Sequence, residues 1–325
     1  MSKKIKDTEF LTLTANLRAK EAKMLTRDKM ERMLTEPNFA DAARVLTDCG
    51  YEDMGEMNSA QINEALGRHL ARAIEEFYSV VPEKSIAEMF RLKYEYHNAK
   101  VIIKNAGLSE NGRRLLSPCG RTEISEIIRV YESEEPENVN KTFAEAIVEA
   151  KETLARTGNP QLSDFVLDKA YFAELLAFAK ASRSEFIGDY ARLLVDSANL
   201  RSTVRALLID RRELLEKALI AGGTVDVDVF INTVQSREDV VALFTNSVFE
   251  KAAQAPSMTS FELEVDNTLT ELLSRTKLIG FGPEPALAYL ASLETEIMTI
   301  RIILTGKLIG IAPELLRERL RDSYV

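Results

Sequence analysis

Reactive side chains are scarce in this sequence: two cysteines, two histidines and no tryptophan among 325 residues. Cys49 and Cys119 lie far apart and neither belongs to a C-x-x-C. No disulfide framework is available, and a reducing compartment is expected. No nucleophile signature surrounds either thiol, so both read as buried structural residues. His69 and His97 lack the i, i+4 spacing that sets two ligands on one helical face. No catalytic, cofactor-binding or metal residue emerges from these counts. Glycine (14) and proline (9) are also few, just over 7% of the chain together, against roughly 12% in average proteins. Few chain breakers imply a helical body with short loops.

Long apolar runs are missing too. No window approaches the ~18 residues of a membrane span, and the densest stretch, Ile297 to Leu304, is broken by Thr299 and Arg301. The opening Met1-Ser2-Lys3-Lys4 is charged and no apolar segment follows it, so a secretory signal is not expected. There is no phosphate loop. Gly280-Phe281-Gly282 precedes a helix but follows no strand, and Gly306-Lys307 comes after a helix instead of before one. ATP binding by this chain alone is therefore not expected. The formal charge of −9, from 42 basic and 51 acidic residues, argues against nucleic-acid binding, which needs a basic footprint. The local basic cluster Arg201, Arg205, Arg211, Arg212 and Lys217 is interleaved with Asp210, Glu213 and Glu216, which reads as a solvated helix face.

What the sequence does contain is helical periodicity. Asn58-x-x-Gln61 is a capping box, followed by the stripe Ile62, Leu66, Leu70, Ile74 and Phe77, with Pro82 ending the run. Ser85-x-x-Glu88 reads as a second box opening a helix to about Ala106, with Gly107 closing it. Asn38-x-x-Asp41 opens another. Leu162 to Ile209 reads as nearly continuous helix broken near Ser182-Arg183-Ser184. A helix is expected from Pro283 and Pro285 to about Gly306, and another from Pro313 through Arg317, Arg319 and Arg321. The run Glu132-Ser133-Glu134-Glu135-Pro136-Glu137-Asn138 reads as an acidic turn. Val225, Val227 and Val229 alternate with period two, which is too short to define a strand. The expected class is all-α.

One pattern recurs. Glu95-x-x-Asn98-x-Lys100, Asp196-x-x-Asn199-x-Arg201 and Glu296-x-x-Thr299-x-Arg301 begin 101 and 100 residues apart. Thr26 to Tyr51 also aligns without gaps on Thr224 to Phe249, matching Asn38 with Ser236, Asp41 with Asp239, Leu46 with Phe244 and Tyr51 with Phe249. The spacing suggests three related units of domain size, 1–108, 109–212 and 213–325. An acid and a base five residues apart do not stack on one helical face, so each is expected to reach a different neighbour. The polar residue between them favours a packing role over a ligand site.

These residues resemble the C subunit of bacterial and archaeal V-type (A-type) rotary ATPases, a family related to the eukaryotic d subunit. The resemblance runs through Arg18-Ala19-Lys20-Glu21, Leu92-Lys93-Tyr94-Glu95-Tyr96-His97-Asn98-Ala99-Lys100 and Asp196-Ser197-Ala198-Asn199-Leu200-Arg201. It continues through Leu293-Glu294-Thr295-Glu296-Ile297, Ile300-Arg301-Ile302-Ile303-Leu304, Gly306-Lys307 and Tyr324. Residues 109–160 match poorly, and Thr299 departs from the Asn of the earlier copies. The resemblance implies three helical-bundle domains around a pseudo-threefold axis, shaped like a funnel. It further implies a non-catalytic central-stalk subunit, cytoplasmic and peripheral to the membrane. Such a subunit joins the central axle subunits of the soluble sector to the membrane proteolipid ring, coupling ATP turnover to proton or sodium transport. Neither cofactor nor catalytic residue is implied. Two other classes stand beside this one. Helical repeats also build scaffold or regulatory proteins with other partners. A carboxylate–Mg²⁺ enzyme would have to use Asp226 and Asp228, which do not converge on a helix.

Overall fold

The computed structural model describes residues 6–106, 110–133 and 139–325. Gly107, expected to close a helix, lies outside the described residues, as do Met1 to Ile5 and the part of the acidic turn from Glu134 to Asn138. Every regular element among the described residues is a helix. The chain divides into two compact units, Met1–Ala87 with Phe244–Val325, and Glu88–Leu243.

The first unit opens with α1 (Leu11–Glu21), α2 (Arg27–Thr35), α3 (Phe39–Arg44) and α4 (Ser59–Val80). Asn58 Oδ1 accepts the Gln61 N–H at 3.0 Å while Gln61 Oε1 accepts the Asn58 N–H at 2.9 Å, so the reciprocal cap of α4 forms. Ile62, Leu66, Leu70, Ile74 and Phe77 are all buried. Helix α5 (Lys84–Lys104) begins one residue earlier than its expected cap. Ser85 therefore sits inside the first turn, and its N–H and hydroxyl both donate to Glu83 Oε1, at 3.4 and 2.8 Å. A carboxylate at the positive helix end replaces the serine as cap.

The second unit takes the rest of α5 from Glu88, then α6 (Glu110–Arg113), α7 (Ile124–Ser133), α8 (Lys141–Thr157), α9 (Pro160–Ser182) and α10 (Glu185–Leu208). It ends with α11 (Leu215–Ala218), α12 (Val227–Thr233) and α13 (Arg237–Leu243). Helices α8 and α9 form a tight antiparallel pair. Gly158 ends α8 at φ 64°, Asn159 caps α9 and Pro160 takes its first position. The break before α10 falls at Arg183, φ 58°, with Ser184 Oγ accepting the Ile187 N–H. The alternating valines belong to no strand: α12 starts at Val227, with Asp226 Oδ1 accepting the Asp228 N–H at 2.9 Å. Asp226 is thus a helix cap.

The chain returns to the first unit through α14 (Glu250–Gln254), α15 (Met258–Ser274), α16 (Pro283–Leu308) and α17 (Pro313–Arg317). Helix α16 packs against α1, α3, α4, α15 and α17, and Pro285 to Leu293 are buried without interruption. A helix apolar on all sides belongs at the centre of a bundle. It runs two residues past its expected end at Gly306. That glycine serves packing instead: a Cβ there would lie 2.3 Å from Leu316 Cδ2 of α17. Helix α17 is shorter than expected and stops at Arg317. Arg321 lies beyond the helix and pairs with Asp266, Nε to Oδ2 3.0 Å. No helix among the described residues is long and apolar enough to cross a membrane.

Candidate functional site

The recurring acid-x-x-Asn/Thr motif occupies the long helices α5, α10 and α16, and its residues are buried in all three. A spacing of three puts the acid and the amide on one helical face. In α10, Asn199 Nδ2 donates to Ile220 O and Asn199 Oδ1 accepts the Ile220 N–H, both at 2.8 Å. One amide thus satisfies both backbone groups of one residue. One turn earlier, Asp196 Oδ1 accepts the Thr224 N–H at 2.9 Å and Oδ2 accepts its hydroxyl. The approach is close enough to dictate sequence: a Cβ on Gly223 would lie 2.1 Å from Asp196 Oδ1.

In α5 the same device recurs. Asn98 Nδ2 donates to Ser117 O at 2.9 Å, and Asn98 Oδ1 accepts the Ser117 N–H at 2.8 Å. Glu95 Oε1 accepts the Thr122 hydroxyl and Oε2 accepts the Arg121 Nε–H at 2.6 Å. Arg121 also reaches Glu174 Oε2 of α9 at 3.1 Å, so one guanidinium holds two carboxylates. Burial alone would lower the Arg121 pKa, but the combined attraction of Glu95, Glu174 and Glu88 overcomes it and leaves it raised. Burial pushes the Glu174 carboxyl up, and its neighbour Glu95 adds to that.

In α16 the partners come from early in the chain. Glu296 Oε2 accepts the Leu25 N–H and Oε1 accepts the Tyr51 hydroxyl, both at 2.6 Å. Leu25 precedes Thr26, the residue aligned with Thr224, so the backbone donors of the two copies agree to within one position. The aligned segments are also capped alike. Asn38 Oδ1 accepts the Asp41 N–H at 2.9 Å, and Ser236 Oγ accepts the Asp239 N–H at 3.3 Å. Thr299 is too short to clamp a backbone, and its hydroxyl has no hydrogen-bond partner among the described residues. Burial pushes the Glu296 carboxyl pKa up, opposed by the Tyr51 and Leu25 hydrogen bonds. The Tyr51 phenol is pushed up by burial and by Glu296.

The bases five residues on point elsewhere. Lys100 Nζ reaches Asp168 Oδ1 of α9 at 2.5 Å, and Arg301 Nε donates to Asn63 Oδ1 of α4 at 2.7 Å. Arg212, read as part of a solvated face, donates to Val234 O at 2.7 Å and Ile231 O at 2.5 Å, closing the negative end of α12.

Cys49 and Cys119 are buried and unbridged, and burial raises the Cys49 thiol despite nearby Lys29. His97 Nε2 lies 2.8 Å from Leu115 O, while the His69 ring stacks on Tyr51 at 4.0 Å. Among the described residues no cluster of three His, Cys, Asp or Glu is arranged to hold a metal. What the motif does chemically is hold distant segments, through backbone groups of Ser117, Ile220, Thr224 and Leu25 and through side chains of Thr122, Arg121 and Tyr51. Each acid and amide fixes a loop about twenty to thirty residues away, or at the far end of the sequence, onto a long helix.

The model of the ATP synthase (C/AC39) subunit family matches residues 13–319. The C subunit of the V-type sodium ATPase of Enterococcus hirae is 20% identical over 335 residues, covering 97% of this chain and 99% of that protein. The C subunit of the A-type ATP synthase of Thermococcus kodakarensis is 24% identical, covering 96% of this chain and 90% of its own length. That of Methanocaldococcus jannaschii is 22% identical, with 96% and 86% covered.

Proposed function

This chain belongs to the ATP synthase (C/AC39) subunit family, and on that premise we propose that it is a non-catalytic central-stalk subunit of a V-type or A-type rotary ATPase. It joins the axle subunits of the soluble sector to the membrane proteolipid ring, so that ATP hydrolysis or synthesis is linked to proton or sodium transport. It works at the cytoplasmic face, peripheral to the membrane. The observation that carries this reading is the span of the match: relatives named as the C subunit of such complexes align over 96–97% of the chain. A torque-bearing link must not shear. The buried acid and amide of the long helices suit that need, because loosening a loop would strand buried polar groups.

The three related units, 1–108, 109–212 and 213–325, are part of the same proposal. Supporting them are the two amide clamps of Asn98 and Asn199 and the aligned caps at Asn38 and Ser236. The third copy is closed by residues from the first, since Glu296 takes its partners from Leu25 and Tyr51.

Affinity purification of the tagged chain from gently solubilised membranes of its source organism tests the assignment. Axle subunits and the proteolipid ring should co-purify in fixed proportion. Recovery with other partners only would instead favour a helical scaffold and sink the rotor reading.

A further inference from the structure

A cleft of about 210 Å³ lies in the first unit between α1, α4 and α16. Lys20 and Lys23 border it at the end of α1, and His69 and Arg72 border it from α4. Lys20 is engaged by Glu76, Nζ to Oε2 2.7 Å. Lys23 and Arg72 have no ion-pair partner among the described residues. Glu52, which also acts on His69, is held by Arg68 at 2.9 Å. The cleft floor carries the Glu296 carboxyl, already committed to Leu25 and Tyr51 and held toward its neutral form by burial. Cys49 and Tyr289 also line it, and burial raises both, which keeps them uncharged near neutrality. Lys20, Lys23 and Arg72 therefore line the cleft with two carboxylates, Glu76 paired to Lys20 and Glu296 committed to Leu25 and Tyr51, in a chain whose net charge is −9.

We propose that this cleft binds a phosphate dianion, either free or carried on a small ester. Lys23 and Arg72 stand at the exposed rim of the cleft, so their pull on an anion is strongest at low ionic strength. Arg72 offers a planar fork that matches two phosphate oxygens, and the flexible Lys23 supplies a second, point-like charge. The volume admits a phosphate and a few further atoms, but it is below the roughly 300–1,000 Å³ of sites for drug-sized ligands. The inference rests on the cleft alone and does not depend on the rotary assignment.

Histidine scarcity provides the readout. The chain holds two histidines, one in the cleft and one, His97, in the second unit beside Leu115. His69 is lowered first by burial and next by Arg72, so a dianion seated against Arg72 must raise it. Histidine-selective NMR on the full chain, titrated with inorganic phosphate and separately with glycerol 3-phosphate, tests this. The His69 resonance should move saturably and its titration should shift upward, with His97 unmoved and chloride at matched ionic strength without effect. Tighter binding of inorganic phosphate identifies the free anion as the occupant, and tighter binding of the ester identifies the ester. Arg72→Gln and Lys23→Gln alter cleft-rim side chains outside the buried core and should each weaken the anion by at least about tenfold. A His69 that does not respond saturably to either anion overturns the proposal. So does a parallel shift of His97, or unchanged binding in both variants.

Discussion

Asn199→Ala probes how the long helices hold their loops. The amide is fully buried, and it is bonded at 2.8 Å to both the N–H and the C=O of Ile220, itself 5% exposed. Removing it strands two buried backbone groups, each costing about 1–3 kcal/mol, so the loss should be about 2–6 kcal/mol. For a unit of this size a loss of about 3 kcal/mol lowers the melting temperature by about 6–12 °C. The control is the matching position of the third copy. The Thr299 hydroxyl has no partner among the described residues, so Thr299→Val should change stability by less than about 0.5 kcal/mol or raise it. Asn199→Asp keeps the acceptor for Ile220 N–H but turns a carboxylate oxygen toward Ile220 O, and should be at least as damaging as alanine. Thermal melts of the full chain, with hydrogen exchange at the Ile220 amide, measure these differences. Wild-type melting of Asn199→Ala, or an equal loss in Thr299→Val, refutes the clamp.

Three further outcomes follow from the same geometry. Glu296 has its folded pKa raised above the ordinary 4.5, so its stabilising share is complete below that value and is lost as pH rises through the folded pKa. Glu296→Gln keeps an acceptor for the Leu25 N–H and turns its amide N–H toward the Tyr51 hydroxyl, which then accepts where it had donated; urea melts should show it matching wild type near pH 5 and exceeding it near pH 8, and a uniform loss at both contradicts this. Gly223→Ala pushes a Cβ to 2.1 Å from Asp196 Oδ1, against an atom fixed by Thr224, and should cost more than Gly306→Ala, whose clash is with the movable Leu316 tip; equal melting temperatures count against it. Arg121→Met leaves Glu95 and Glu174 facing each other in the interior and should cost about 3–5 kcal/mol. The penalty should be smaller near pH 5, where Glu174, with its raised pKa, is more readily neutral. A pH-independent loss speaks against paired carboxylates.

Much of the helical framework is legible in the sequence, because helix period and caps are local. Asn58 with Gln61, Ser184, Pro283 and the break at Arg183 all act within a few residues of where they stand. Ser85 misleads because Glu83, two residues before the pattern, supplies a charged cap. Gly306 reads as a stop but faces Leu316 across a helix contact, which no local signal carries. The polar motif is visible as a recurrence, yet its partners at Ser117, Ile220 and Leu25 are backbone groups. Nothing in the side chains of those residues marks them. Arg212 reads as surface charge because the carbonyls it closes, at Ile231 and Val234, become a target only once α12 has formed. The cleft at Arg72 is hidden for a similar reason: it draws on α1, α4 and α16, which lie far apart in sequence.

The central claim is mechanical coupling, and inverted membrane vesicles from cells lacking this chain test it most directly. ATP-driven ion uptake and ATP hydrolysis are measured side by side, with and without the chain restored. The account predicts that hydrolysis by the soluble sector persists without the chain while ion uptake is lost, and that restoring the chain recovers uptake. Uptake that continues undiminished in its absence contradicts the account.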